Sequence, residues 1–414
     1  MSRRGWTRLV VLVLVTAVLA SFSLTGCSTA SAKSSFTFLA AQYSTATEPF
    51  LKDLVARFEK ENPNITVNLQ VVGWDVINQR VNTLISTNQA PDLLNIDLFS
   101  AYVNDNLLMD ASKVISPALK ANIYESLYAG NAIKGTTYAI PLLSSVRSLY
   151  YNKDIFATAG IATPPKTWSE LRADCKLIKE KAAVDAYGIE MTNFEGEAFF
   201  SYFAFGNGGG WKKDGKWALN SAENIEAFTF MNDLVNTDKT TNAQPTAINR
   251  DELQKVFAAG KLGMMMTANF FPTILKTDAP NLNYGVAPMP CNDGKPQTSL
   301  FVQDSLMVFK STKSVPAITK FLDFFYKDAN YQTFLTNEGF LPVTKTVGTA
   351  MAASDPMTAE FIKELQSAQT YPVDDTRYPE IKFAAIAALQ KVLLGQMSVT
   401  DALNEVQATA DGTT

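Results

Sequence analysis

Between Asn193 and Trp217 the chain gathers two glutamates, Glu195 and Glu197, with Phe199, Phe200, Tyr202, Phe203, Phe205, three consecutive glycines, Trp211 and Trp217. Aromatic rings cover the C–H face of a polyhydroxylated molecule, while carboxylates, amides and guanidinium groups pair with its rim of hydroxyls. Two carboxylates can also serve a glycoside hydrolase. Glu195 and Glu197, however, stand two apart in what reads as a loop, and nothing in the sequence gives the separation that chemistry needs. Glu195 reads more simply as a solvated loop charge. The run Gly208-Gly209-Gly210 lacks a following Lys-Ser/Thr and is no phosphate loop; it lets the backbone approach the cleft or turn sharply.

Other chemistries are closed off by composition. No histidine occurs among the 414 residues, which removes Ser-His-Asp and Cys-His catalysis, His-ligated metals and imidazole acid–base work. No cofactor or metal is expected. A formal net charge of −4 gives no support to nucleic-acid binding. The content of 47% apolar and 18% charged residues is that of a packed globular protein, and the length suggests two domains. Cys175 and Cys291 read as two buried free thiols rather than a disulfide framework.

The N-terminus reads as a processing signal. Arg3, Arg4 and Arg8 precede an apolar run, Leu9 to Phe22, and then Leu24-Thr25-Gly26-Cys27. Small residues before a cysteine, directly after the apolar core, look like a lipobox whose Cys27 thiol takes a diacylglyceryl group. Residues 1–26 are then a signal peptide and 27–35 a tether, and the membrane is met through lipid only. Loss of the three arginines makes the remaining chain more acidic.

The elements that must position the chemistry follow from periodicity. Phe36 to Ala40 reads as a strand. Phe50, Leu54 and Phe58 with Leu51 and Val55 mark an amphipathic helix, and Ile65, Val67, Leu69 and Val71 alternate as a second strand. Closed into a parallel sheet, this unit puts the loop with Gln42, Tyr43 and Ser44 at the carboxyl edge, where open α/β sheets bind ligands. Trp74 begins the next helix, and Asp97 ends a third strand. Leu149 to Phe156, after Ser144–Ser148, reads as a crossing between two lobes, with Ser145, Arg147 and Tyr150 at the cleft floor. Asp154 is placed to cap a short helix that Gly160 ends, and Thr167 with Glu170 has capping-box spacing. Met264-Met265-Met266 reads as a core strand. A second crossing is placed after it, near Asn269 and Phe270, and a third at Ser311 to Ser314.

Several short segments in order then carry a resemblance over nearly the whole length. They include Phe58-Glu59-Lys60-Glu61-Asn62-Pro63-Asn64-Ile65, Ala90-Pro91-Asp92, Leu149 to Asp154 and Pro164-Pro165-Lys166-Thr167-Trp168. Phe257-Ala258-Ala259-Gly260-Lys261-Leu262-Gly263-Met264, Tyr284 to Pro290 and Gly395-Gln396-Met397-Ser398 complete the series. The chain resembles family 1 of the extracellular solute-binding proteins of ABC importers, the maltose-binding-protein-like group. That resemblance implies an α/β, periplasmic-binding-protein-like (class II) fold: two α/β lobes joined by hinge strands, with a ligand cleft between them. Residues 36–145 and 268–312 are expected in the N-terminal lobe, and 146–267 and 313–414 in the C-terminal lobe. It also implies a monomer at the outer face of the cell membrane. This monomer would bind a carbohydrate by hinge closure and hand it to the transmembrane subunits of a permease with a separate ATPase, doing no catalysis itself.

In the family's pattern Glu197 and Phe199 fall where a hydroxyl-binding carboxylate and a stacking ring sit, and Phe270 at another stacking position. Gln42, Tyr43, Trp74 and Asp97 are offered by the first lobe, and Arg147, Trp211, Asn269, Asp304 and Arg377 complete the expected site. Trp74 and Trp211 could equally pack over sheet edges. Some relatives take glycerol phosphates, for which Arg147 and Arg377 are the available cations.

Overall fold

A strand flanked by neighbours on both edges and helices on its faces has no polar side, and Phe36, Phe38, Leu39, Ala40 and Ala41 are accordingly all buried. In the computed structural model, which describes residues 33–365 and 368–413, they form the strand Ser34–Gln42. It pairs in parallel with Ile65–Gly73 on one side (Phe36 opposite Val67) and with Leu93–Ile96 on the other. The helix Thr47–Glu61 joins the first two strands and buries Leu51, Leu54, Val55 and Phe58, the face that its spacing predicts. The signal peptide and Cys27 lie outside the described residues. The tether ends sooner than expected, since Ser34 and Ser35 already pair with Ile65 and Thr66.

One strand, Ala139–Asn152, belongs to both lobes. Its first part pairs antiparallel with Leu300–Val308, which pairs in turn with Leu93–Ile96. From Arg147 to Tyr151 it pairs antiparallel with Leu262–Ala268, the neighbour of Asp185–Gly188. Tyr284–Ala287 also pairs with its last residues. The crossing is thus a continuous strand with no break at Ser144–Ser148. The helix Lys153–Ala159 follows, capped by Asn152 rather than Asp154: the Asn152 Oδ1 accepts from the N–H groups of Asp154 and Ile155. Gly160, with φ of 75°, closes it in the left-handed region. The Thr167–Glu170 capping box is present at the head of Trp168–Lys181.

Each lobe has its own core. In the first, Phe321 meets Phe36, Phe38 and Phe58 edge-on at 5.6, 5.7 and 5.2 Å. In the second, Tyr150 packs on Phe271 at 5.3 Å and Trp168 stacks on Phe230 at 4.7 Å. This packing corrects the expected boundaries. Phe271–Asp278 and Tyr284–Ala287 join the second lobe, because Phe271, Leu275 and Met289 bury there. Val315–Phe325, Asp328–Glu338 and Lys345–Ser354 join the first. The reason is pairing: Leu300–Val308 returns the chain alongside 139–146, and the helices after it cover the nearest open apolar face. The second and third crossings are therefore near 299–302 and 368–371, not at Asn269 and Ser311–Ser314. At Asn269 the chain only touches the first lobe and turns back. The expected free thiols, Cys175 and Cys291, are both buried and unbridged.

Candidate functional site

The strand ends of the first lobe, two helix starts of the second and the crossings converge on one cleft of about 890 Å³. That is near the upper end of the roughly 300–1,000 Å³ usual for small-molecule sites. The first lobe supplies the residues just past its parallel strands: Tyr43 to Ala46, Trp74 with Asp75, and Asp97. Across from them stand Thr192 to Glu195, Glu197, Arg250, Gln254 and Lys382. Ser145, Arg147, Val302, Asp304 and Tyr371 form the floor.

The buried cations are already engaged. Arg147 donates from Nη2 to Glu195 Oε1 at 2.5 Å, from Nη1 to Ser145 Oγ at 2.8 Å and from Nε to the Tyr202 hydroxyl at 3.2 Å. Arg250 Nη1 takes the other Glu195 oxygen at 2.8 Å, and its Nη2 reaches Asp251 at 2.9 Å. Burial pushes the Glu195 carboxyl up, but Arg250 and Arg147 outweigh burial and hold it below its ordinary range. Lys382 Nζ bonds Glu197 Oε1 at 3.2 Å. Burial dominates at Glu197 and raises it despite that lysine.

The opposite side is acidic. Asp304 is 6% exposed and is pushed up to about 7, by burial first and by Asp97 second. The Tyr43 hydroxyl beside it donates to Asn95 Oδ1 at 3.1 Å. Glu338 accepts from the Thr47 hydroxyl at 2.7 Å and is raised by burial. Rings complete the lining. Trp74 meets Tyr43 edge-on at 5.8 Å and Phe270 packs on Phe340 at 5.1 Å. The Arg250 guanidinium lies 5.2 Å from the Phe194 and Phe270 ring centres.

Seven of the expected site residues meet here: Tyr43, Trp74, Asp97, Arg147, Glu197, Phe270 and Asp304. Five do not line the cleft. Gln42 ends its strand with Nε2 turned to the Ser44 carbonyl at 3.4 Å. Phe199 and Trp211 are core residues, because 196–206 is not a loop but a helix buried all round. Phe199 packs on Tyr202, and Trp211 stacks on Phe200 at 4.1 Å while donating to Ser201 Oγ. Asn269 is a staple: Oδ1 accepts from Val146 N–H at 2.9 Å and Nδ2 donates to the Gly339 carbonyl at 2.8 Å. Arg377 closes the last helix by donating to the Thr409 and Ala410 carbonyls, both at 2.7 Å. Tyr150, expected near the floor, is fully buried and donates to the Ala268 carbonyl.

Glu195 is no solvated charge but the hinge-side anion of two arginines. Sequence reading missed Arg250, Lys382, Tyr371, Phe194 and Glu338. Lys382 carried a signal, since it occupies the apolar stripe with Ala385, Ile386 and Leu389. A lysine there needs a buried partner. Arg250 carried none; it opens a helix under an Asn249–Glu252 capping box like any exposed residue.

Residues 41–332 match the family described as bacterial extracellular solute-binding protein. A binding protein of Brucella abortus is 32% identical over 376 residues, covering 90% of this chain and 91% of that one. The sn-glycerol-3-phosphate-binding periplasmic protein UgpB of Agrobacterium fabrum is 31% identical over 223 residues, 51% of this chain and 49% of its own. Among solved structures, an ABC transporter solute-binding protein of Thermotoga lettingae with bound alpha-D-tagatose superposes with a TM-score of 0.83 at 21% identity. It covers 92% of this chain and 99% of that one. With two lobes around a cleft and the match over most of its length, this chain belongs to the bacterial extracellular solute-binding protein family, whose members are ABC-transport proteins rather than enzymes.

Proposed function

We propose that this protein binds a carbohydrate or related polyol in the cleft, closes on it about its three crossings, and presents it to an ABC permease. One observation carries the reading: the cleft combines aromatic rings with carboxylates and amides able to pair with hydroxyls, while its buried cations are neutralised from within. Trp74, Phe194 and Phe270 would cover the ligand's C–H faces. Asp97, Asp304 and Tyr43 would bond its hydroxyls from the first lobe, with Gln254 and Arg250 opposite. Contacts from both lobes favour the shut form over the open one. The sugar bound by the Thermotoga lettingae structure supports this class of ligand. Isothermal calorimetry against mono- and oligosaccharides and polyols tests it; silence across the whole panel removes it.

The Agrobacterium fabrum relative favours a second reading, a phosphorylated polyol. Against it, Arg147 has its three donor nitrogens engaged and Arg377 is spent on a helix end. Glycerol 3-phosphate belongs in the same titrations, and tight binding of it would favour this second reading. The sequence around Cys27 supports a lipid anchor at the outer face of the membrane. Mass spectrometry of the purified chain should find the acylated cysteine, and Cys27→Ala should release the protein from membranes.

A further inference from the structure

The cleft is unevenly charged. Eight carboxylates line it against four cations. Two of the cations, Arg147 and Arg250, share Glu195, a third, Lys382, holds Glu197, and Lys255 stands exposed at the rim. Among the described residues no cation forms an ion pair with Asp97, Asp304 or Glu338. Asp304 is 6% exposed and Glu338 4% exposed, and one Glu338 oxygen, Oε2, is buried with no hydrogen-bond partner. Asp97, Asp304 and Glu338 all stand on first-lobe elements, opposite Arg250 and Lys382 of the second lobe and beside Arg147 on the crossing strand.

Buried carboxylates that close off from water with no counter-charge are costly, and such groups either take up a proton or acquire a cation. Asp304 shows that pressure already: burial and the neighbouring Asp97 raise its proton affinity by more than the Tyr43 hydroxyl and the charge of Arg147, which is not paired with it, lower it. A neutral sugar entering the cleft displaces water from these oxygens and supplies no charge in return. An ammonium group supplies both the charge and three donors. Resting on the carbohydrate reading above, we infer that the cleft is specific for a sugar carrying a protonated amine, an amino sugar or aminocyclitol, whose ammonium sits against Asp97 and Asp304. Anionic sugars are excluded by the same field.

The test is calorimetry on the purified full chain with matched pairs: glucose and glucosamine, galactose and galactosamine, cellobiose and the β-1,4-linked glucosamine dimer. Glucuronic acid and glucose 6-phosphate serve as anions. At least one amine should bind tenfold or more tighter than its neutral partner, and the anions should not bind. In Asp304→Asn the ratio of amine to neutral affinity should fall toward one, whichever way the absolute affinities move. Asp97→Asn, at a half-exposed strand end, gives the same readout if the Asp304 variant does not fold. Neutral sugars binding as tightly as their amines would overturn the inference and leave the carbohydrate reading standing. Binding confined to phosphate esters, or no binding by any member, would overturn both.

Discussion

Removing the charge of Glu195 is the sharpest single perturbation of this cleft. Glu195→Gln keeps the shape but offers one acceptor and turns an N–H₂ group toward a guanidinium. The Arg250 side chain, 16% exposed, keeps Asp251. The Arg147 side chain is only 3% exposed and has no other carboxylate in ion-pair contact among the described residues. Breaking a buried pair by removing one partner costs about 3–5 kcal/mol, whereas an exposed pair contributes about 0–1 kcal/mol. Since Arg250 stays paired, the loss should lie near the lower end, about 3 kcal/mol. Urea unfolding followed by tryptophan fluorescence reads it well, because Trp168, Trp211 and Trp217 all lie in the second lobe. Replacing both partners, Arg147→Met with Glu195→Leu, removes the burial cost of two charges and should recover most of that loss. If Glu195→Gln costs under about 1 kcal/mol, or the double variant is as unstable as the single one, the buried-triad account is wrong.

Three further outcomes concern Phe199, Asn269 and two buried acids, Asp304 and Glu190, the latter accepting from the Thr192 hydroxyl. Phe199→Ala should cost about 3–5 kcal/mol in the same unfolding assay and leave the calorimetric affinity of the folded fraction unchanged, since the ring is core and not cleft. Asn269→Ala removes the partner of the buried Val146 N–H and should cost on the order of 2 kcal/mol; no loss in urea midpoint would show that the staple carries no load. Burial lifts Asp304 to about 7 and Glu190 to about 8, above their unfolded values of about 4. Both therefore favour the folded state while protonated, fully so below about pH 4, and this contribution is lost as pH rises through 7 and 8. The melting temperature of the ligand-free protein should fall between pH 6 and pH 9, and Asp304→Asn with Glu190→Gln should flatten that slope.

Periodicity made the scaffold legible: the first strand, its helix and the second strand pair as their spacing requires, and Tyr43, Trp74 and Asp97 fall at strand ends as parallel sheets dictate. It failed where a segment is apolar on every side. The residues 196–206 show no amphipathic stripe because the helix is buried all round, so its rings looked like a binding loop. The charge triad was invisible for another reason: Glu195 meets Arg147 across 48 positions and Arg250 across 55. The lobe boundaries went astray on one long-range pairing, Leu300–Val308 beside Ala139–Val146, which no local pattern announces.

Gly339 links this geometry to sequence in a last way. Its φ is +78°, and a Cβ there would stand 2.9 Å from the Phe270 Cα, so the backbone leaving one body is pressed against the turn of the other. Together with a strand common to both halves, this leaves little freedom for sliding. On the closure proposed above, the two bodies would twist about their common strand as weights on a torsion bar, and a guest in the trench would set how far that bar is wound.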